Sequence, residues 1–320
     1  MRNLKEYSFK EWLTLQPFKW SLKQLRNDIH CSLYVKRHSP TAKDQLADVD
    51  KVLSETKNLL VTIAFEKPEV IELQLKALQM NPTEAVHLVA DNSFSTTAQQ
   101  AIAEICSKYA CLYLKLPEIH ITHNARSHSF ALQWVYENLV RPYNLKKFGF
   151  IDHDLIPFKV GDEFKKLESV LAFGLKHDGV LSNSAWQLWT GYCFFNQQML
   201  KSIRLNFMYD FANGLDSGGR NYHQLFKKHP KEGFTFSKQS VASVDTQWGV
   251  IDMELLNDGW LHLGGVAYME NSENRMHAFK YACDLLSTAM KEYGSFDSVL
   301  IGNQELPIGI TYMGYKDQVF

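Results

Sequence analysis

Between Asn58 and Asp152 the chain alternates short apolar runs with amphipathic helix patterns, and few architectures accept that alternation. Leu59-Leu60-Val61-Thr62-Ile63-Ala64-Phe65 and Val86-His87-Leu88-Val89-Ala90 have the length and β-branched content of buried strands. Cys111-Leu112-Tyr113-Leu114 predicts a short third strand, and Phe148-Gly149-Phe150-Ile151 a fourth. After the first strand, Pro68 opens a helix with Glu69 and Glu72 in its first turn and a stripe of Ile71, Leu75 and Leu78. Ala98, Ile102, Ile105 and Tyr109 mark a second helix. Ser127 or Ser129 is expected to cap a third, with the stripe Leu132, Val135, Tyr136 and Leu139. Strands that are apolar throughout are covered on both faces, so the expected fold is α/β, a mostly parallel sheet flanked by helices.

The fourth strand ends in Asp152-His153-Asp154, just before Leu155-Ile156-Pro157. Two carboxylates at the end of a core strand are costly to bury without a neutralising partner. Carboxylate oxygens suit hard cations such as Mg²⁺ or Mn²⁺, and Mg²⁺ usually keeps company with a phosphate-bearing substrate. Asp-x-Asp alone is common in solvated turns; here an apolar strand inside an alternating α/β pattern leads into it. Ligands of parallel sheets sit beyond the carboxyl ends of the strands, where Asp91-Asn92-Ser93 also lies, so Asp91 and Asp152 can face one cleft. No Gly-x-Gly-x-x-Gly or Walker-type loop occurs, which disfavours a dinucleotide or P-loop site.

Charge narrows the partners. With 34 basic and 35 acidic side chains the chain carries no bulk field for nucleic acid, and no nucleic-acid partner is expected. Five cysteines without Cys-x-x-Cys spacing predict neither a zinc site nor a disulfide framework and fit a reducing compartment. Met1-Arg2-Asn3-Leu4-Lys5-Glu6 leads into no apolar secretory core, and no run reaches membrane-spanning length. A cytoplasmic protein is expected.

Residues 1–57 read as an N-terminal helical extension, residues 58–270 as the catalytic unit and 271–320 as a C-terminal extension. In the first segment Phe9, Trp12, Leu13, Phe18, Trp20 and Leu22 are interleaved with Lys10, Lys19, Lys23 and Arg26. That mix suits either a helix packed on the main domain or one lying peripherally on an anionic membrane. In the less regular second half, Trp186 and Trp189 could stack on a sugar or be core aromatics. Arg126 and His128, at the start of the third helix, could meet a phosphate or be solvated loop residues. His262 precedes Gly264-Gly265, and Leu215-Asp216-Ser217-Gly218-Gly219 can form a tight loop at a cleft.

The strand and helix from Val61 to Leu78, the Asp91-Asn92-Ser93 strand end and Asp152-His153-Asp154, in that order and spacing, resemble a GT-A-type glycosyltransferase. The match covers residues 58–160 well and 180–265 loosely. It implies a Rossmann-related, GT-A-like sheet and a metal-dependent transfer of a sugar from a nucleotide-diphosphate donor to an acceptor hydroxyl of a glycan or glycolipid. It further implies that Asp91 contacts the base, that Ala64 lies beside the nucleoside, and that Asp152 and Asp154 hold Mn²⁺ or Mg²⁺. Asp154 would be the direct ligand and Asp152 would face the ribose or the metal through water; His262 resembles the late histidine ligand of many members, or is a buried structural histidine. Inverting transfer needs one base, for which Asp216 is the candidate and Asp210 the rival. A metal-dependent phosphohydrolase or nucleotidyltransferase using the same pair is the alternative, and a non-catalytic binding module with a relic cleft stays open as well.

Overall fold

The computed structural model describes residues 8–13, 15–121, 123–181, 184–257, 259–264, 273–295 and 298–309. Three helices come first: α1 (Phe9–Leu13), α2 (Lys19–Tyr34) and α3 (Lys43–Glu55). The expected N-terminal helical extension is present. Alternation then follows as β1 (Asn58–Ala64), α4 (Pro68–Met80), β2 (Val86–Asp91), α5 (Thr96–Lys108), β3 (Leu112–Lys115), α6 (Asn124–Val135) and β4 (Lys147–Asp152). Beyond the Asp pair run β5 (Leu155–Pro157), α7 (Glu163–Lys166), β6 (Ala172–Asp178), β7 (Trp186–Asn196) and β8 (Phe234–Phe236). The last elements are β9 (Gln239–Thr246), β10 (Gly249–Leu256), β11 (Trp260–His262), α8 (Glu273–Tyr293) and β12 (Gly302–Glu305).

The main sheet has seven strands in the order β3-β2-β1-β4-β7-β6-β8. β3, β2, β1 and β4 are mutually parallel, β7 runs antiparallel to both β4 and β6, and β8 is parallel to β6. Residues of β1 from Leu59 onward are buried on both faces, which is why the run contains no polar alternation. In β4, Phe148 and Phe150 enter the core layer that holds Phe195, Phe207 and Tyr136, whereas Ile151 enters the opposite layer with Phe194 and Leu60. Gly149 faces the latter side because a Cβ there would stand 2.3 Å from the Phe194 ring.

The register aligns the carboxyl ends of the strands: Ala64 lies beside Asp91, and Ile63 beside Asp152. The chain does not stay in this sheet after Asp152. β5 turns into a second, antiparallel sheet of order β12-β9-β10-β11-β5. α8 covers it, packing Phe279, Ala282, Cys283 and Leu286 onto Ala242, Val244, Met253 and Leu255.

One local expectation is corrected. Neither Ser127 nor Ser129 caps α6; both lie inside it, and His123 is the cap residue, its Nδ1 accepting from Arg126 N at 3.4 Å. The serine hydroxyls serve tertiary contacts instead, Ser127 Oγ accepting from Asn92 Nδ2 at 2.9 Å and Ser129 Oγ donating to Ser217 Oγ at 3.1 Å.

A polar residue in the α4 stripe controls the turn between the sheets. Gln74 is wholly buried; its Nε2 donates to the carbonyls of Asp152 and Leu155, each at 2.8 Å, and its Oε1 accepts from Thr62 Oγ1 at 2.8 Å. Gln74→Leu keeps the volume but leaves buried carbonyls unpaired. It is expected to lower unfolding free energy by about 2–3 kcal/mol, read as a lower urea midpoint at unchanged slope. A midpoint equal to wild type would remove this bond set from the account of the turn.

Candidate metal and donor site

Two sheets meet at the Asp pair. Asp152 closes β4 of the main sheet, while Leu155 of β5 pairs with His262 of β11. Leu263 N donates to the Asp154 carbonyl at 3.0 Å, completing the junction. That pairing brings residues more than a hundred positions apart together: ligand atoms of Asp152, Asp154 and His262 all lie within 4.8 Å of one another. Gly264 follows in the left-handed region at φ +67; Gly265 lies outside the described residues.

His262 is both a buried, hydrogen-bonded histidine and a ligand-ready one. Its Nδ1 bonds Glu254 Oε2 at 2.7 Å, leaving Nε2 facing Asp154 Oδ1 at 3.5 Å. Glu254 stands directly opposite His262 across the β10–β11 pair, and its Oε1 accepts from Gln239 Nε2. A carboxylate behind a histidine fixes the tautomer and raises the basicity of the other nitrogen. The sequence reading missed Glu254; the signal was an acid inside the apolar run Met253-Glu254-Leu255-Leu256. Trp189 completes this wall, its ring 4.7 Å from His262 and stacked on His177 at 5.9 Å.

The charges are strongly unequal. Burial, reinforced by the neighbouring Asp154, pushes the Asp152 carboxyl up to about 7. Burial also opposes ionisation of Asp154, but the His262 imidazolium outweighs it and holds Asp154 well below the usual carboxylate range. For His262, burial favours the neutral ring, yet Asp154 and Glu254 together raise it well above its ordinary value. Burial lowers His128 to about 4, so it is a neutral ring, with Nε2 3.6 Å from Asp152 Oδ1. Two carboxylates and an imidazole with one free nitrogen fit a hard or borderline divalent ion such as Mn²⁺.

A cation there must displace protons from Asp152 and from His262 Nε2. Mn²⁺ affinity is therefore expected to fall about a hundredfold per pH unit below Asp152's titration near 7, where both protons must leave, and about tenfold per unit just above it, where only His262 still carries one. Titration calorimetry at pH 6 and pH 8, in buffers of different ionisation enthalpy, reads both the affinity and the protons released. Equal affinity at the two values would contradict this electrostatic account.

The remaining candidates divide. Asp216 is half-buried; its Oδ1 accepts from Ser217 N at 2.5 Å and Ser217 Oγ at 3.2 Å. Its negative charge acts on Asp152, His128 and His177, so it lies near the cluster. Asp210 is buried, with Oδ1 accepting from Ala212 N and Asn213 N and Oδ2 from Asn213 Nδ2 at 2.6 Å; His223 Nε2 stands 2.8 Å from Oδ2. It pins its own loop.

Asp91 is wholly buried, with Oδ1 accepting from Ser93 N and Oδ2 from Tyr113 Oη, each at 2.8 Å. Ala64 is likewise buried, its carbonyl accepting from Asn92 N at 2.9 Å. These two shape the strand-end loop rather than line an open surface. Beside them Glu66, in the left-handed region at φ 56, accepts from Phe94 N and Ser95 N, and the part-exposed Phe94 ring stacks on His120 at 6.4 Å. The Arg126 guanidinium is turned to α2, donating from Nη2 to Asn27 Oδ1 at 3.0 Å. Trp186 is core material, enclosed by Phe226, Phe234 and Phe236, so of the two tryptophans only Trp189 lies at the cluster.

The fold is α/β, with a seven-stranded, mostly parallel sheet flanked by helices, as the sequence predicted. Among solved structures the chain is similar to the mannosyltransferase PcManGT from Pyrobaculum calidifontis, in complex with GDP-Man and Mn²⁺, at 13% identity and TM-score 0.32, covering 59% of this chain and 56% of that one. It thus spans little more than half that enzyme's length. It is also similar to glucosyl-3-phosphoglycerate synthase from Mycobacterium tuberculosis, in complex with Mn²⁺, uridine-diphosphate-glucose and phosphoglyceric acid, at 12% identity and TM-score 0.39, covering 86% of this chain and 94% of that one. A third similar structure is the galactosyltransferase LgtC with donor and acceptor sugar analogs, at 12% identity and TM-score 0.33, covering 56% of this chain and 73% of that one. No family model matches the sequence, and no curated protein matches it.

Proposed function

We propose that this protein is a metal-dependent glycosyltransferase that moves a hexose from a nucleotide-diphosphate donor to an acceptor hydroxyl with inversion. The observation that carries the reading is the Asp152, Asp154 and His262 cluster at the carboxyl edge of a mostly parallel sheet. Asp154 and His262 would hold Mn²⁺ or Mg²⁺ directly, and Asp152 would face the ribose or a metal-bound water. A divalent cation there offsets the charge gathering on the nucleotide diphosphate as the glycosidic bond breaks. Ala64 and Asp91 build the loop against which the nucleoside lies, and the Phe94 face offers the base a stacking surface. Arg126 contributes positive charge at the start of α6. Asp216 takes the proton from the acceptor hydroxyl, and Trp189 packs against the acceptor sugar.

In this reading residues 58–270 form the catalytic unit, flanked by residues 1–57 and 271–320. The acceptor is a glycan or a glycolipid, and the site works in the cytoplasm.

A thermal-shift panel of UDP- and GDP-sugars with and without Mn²⁺ tests the donor. A true donor at about 100 times its Kd stabilises the native state by ~2.7 kcal/mol, and only when metal is present. No stabilisation by any nucleotide sugar in Mn²⁺ would overturn the reading. Release of free sugar at a rate indifferent to every acceptor offered would replace it with a hydrolase.

A further inference from the structure

α2 carries two apolar faces, and the protein body uses only one. Asn27, Cys31 and Tyr34 are buried against the core. On the opposite side Phe18, Leu22, Leu25, Ile29 and Leu33 form a stripe at helical spacing and are 43–58% exposed. Leu15, Leu13, Trp12 and Phe9 extend it along α1 and the joining turn, with exposures from 38% to 79%. An outward apolar stripe of this length is far from the scatter of single hydrophobes normal on a surface.

The charges beside the stripe say what covers it. Residues 8–37 hold six Lys and Arg against two acids, although the whole chain carries a net charge of -1. Lys19 and Arg26 run along one flank of the stripe and are exposed. A second copy of the chain would bring this basic surplus against itself. An anionic lipid surface complements it, with the apolar stripe entering the headgroup boundary. No described helix is long and apolar enough to cross a membrane, so the helix lies on the bilayer rather than through it.

We propose that the α1–α2 face is a docking surface for an anionic lipid bilayer. The sequence left two alternatives for this segment, packing on the domain or lying on a membrane. The two faces of α2 allow both at once.

The inner face also ties the bilayer to the cleft. Trp20 stacks on Phe211 at 6.4 Å, Lys23 Nζ lies 4.3 Å over the same ring, and Arg220 reaches Asp28 at 3.7 Å. Those partners bracket the loop of Asp216. Resting on the transferase reading, this connection points to an acceptor carried on a membrane lipid.

Docking is tested without metal or nucleotide, so its failure would leave the transferase reading standing, and the reverse also holds. The full chain is sedimented with phosphatidylcholine vesicles that contain or lack about one-third phosphatidylglycerol. It is expected to bind the anionic vesicles, to release in high salt, and to bind pure phosphatidylcholine far more weakly. Leu25→Asp with Ile29→Asp, at exposed positions that leave the fold intact, should weaken binding more than about tenfold, as should Lys19→Ser with Arg26→Ser. Unchanged binding in both double variants, or no binding to anionic vesicles, would overturn the proposal. So would a concentration-dependent dimer in sedimentation velocity that the Leu25→Asp, Ile29→Asp variant abolishes, since the stripe would then serve a second copy.

Discussion

Asp154→Ala is expected to lower metal-dependent turnover by about a thousandfold or more, the equivalent of ~4 kcal/mol, while the protein stays folded. Asp154 is the buried member of the pair whose ionisation the fold favours, since His262 stands against it and Leu263 N binds its carbonyl. Its removal takes a fixed negative charge from the cluster and leaves only Asp152 and His262 to hold the ion. Calorimetric titration of Mn²⁺ in the presence of a nucleotide sugar separates loss of metal from loss of fold. Unchanged Mn²⁺-dependent donor affinity would sink the assignment. His262→Ala should cost less, because it removes a neutral ligand atom rather than a charge.

Asp216→Asn is expected to lower turnover by roughly two to four orders of magnitude, the usual contribution of a general base. The change is nearly isosteric, and the amide oxygen can still accept from Ser217, so the loop and donor binding should survive. A kcat loss with donor affinity unchanged is the expected split. Activity within a few-fold of wild type would move the base elsewhere. Asp210 is the poorer substitute, since both its oxygens are engaged by its own loop and His223. A retained anomeric configuration in the product, read by NMR, would remove the need for any such base.

Much of the fold was legible because local and global signals agree. β1 and β2 are apolar runs of strand length, and α4 opens at Pro68 where its stripe begins. The capping of α6 was not legible. Ser127 and Ser129 are good cap residues by chemistry, but Asn92 and Ser217, distant in sequence, claim their hydroxyls. The tryptophans show the same limit: Trp186 and Trp189 are chemically equal in the chain, and only packing sends one into the core and the other to His262.

By itself the sequence determined the parallel sheet and the position of the Asp pair at its carboxyl edge, since strand ends and charge placement are properties of a few consecutive residues. Tertiary structure alone decided which residues join that pair. Residue 155 must leave the main sheet and pair with residue 262 before Asp154 and His262 can meet, and Gln74 must hold the turn that allows it. It also decided that His262 is backed by Glu254, through a cross-strand register that no local pattern encodes. Burial opposes ionisation of both carboxylates; alike in the sequence, they become unequal because His262 bonds Asp154 directly, while the charge of Asp154 adds to the burial of Asp152.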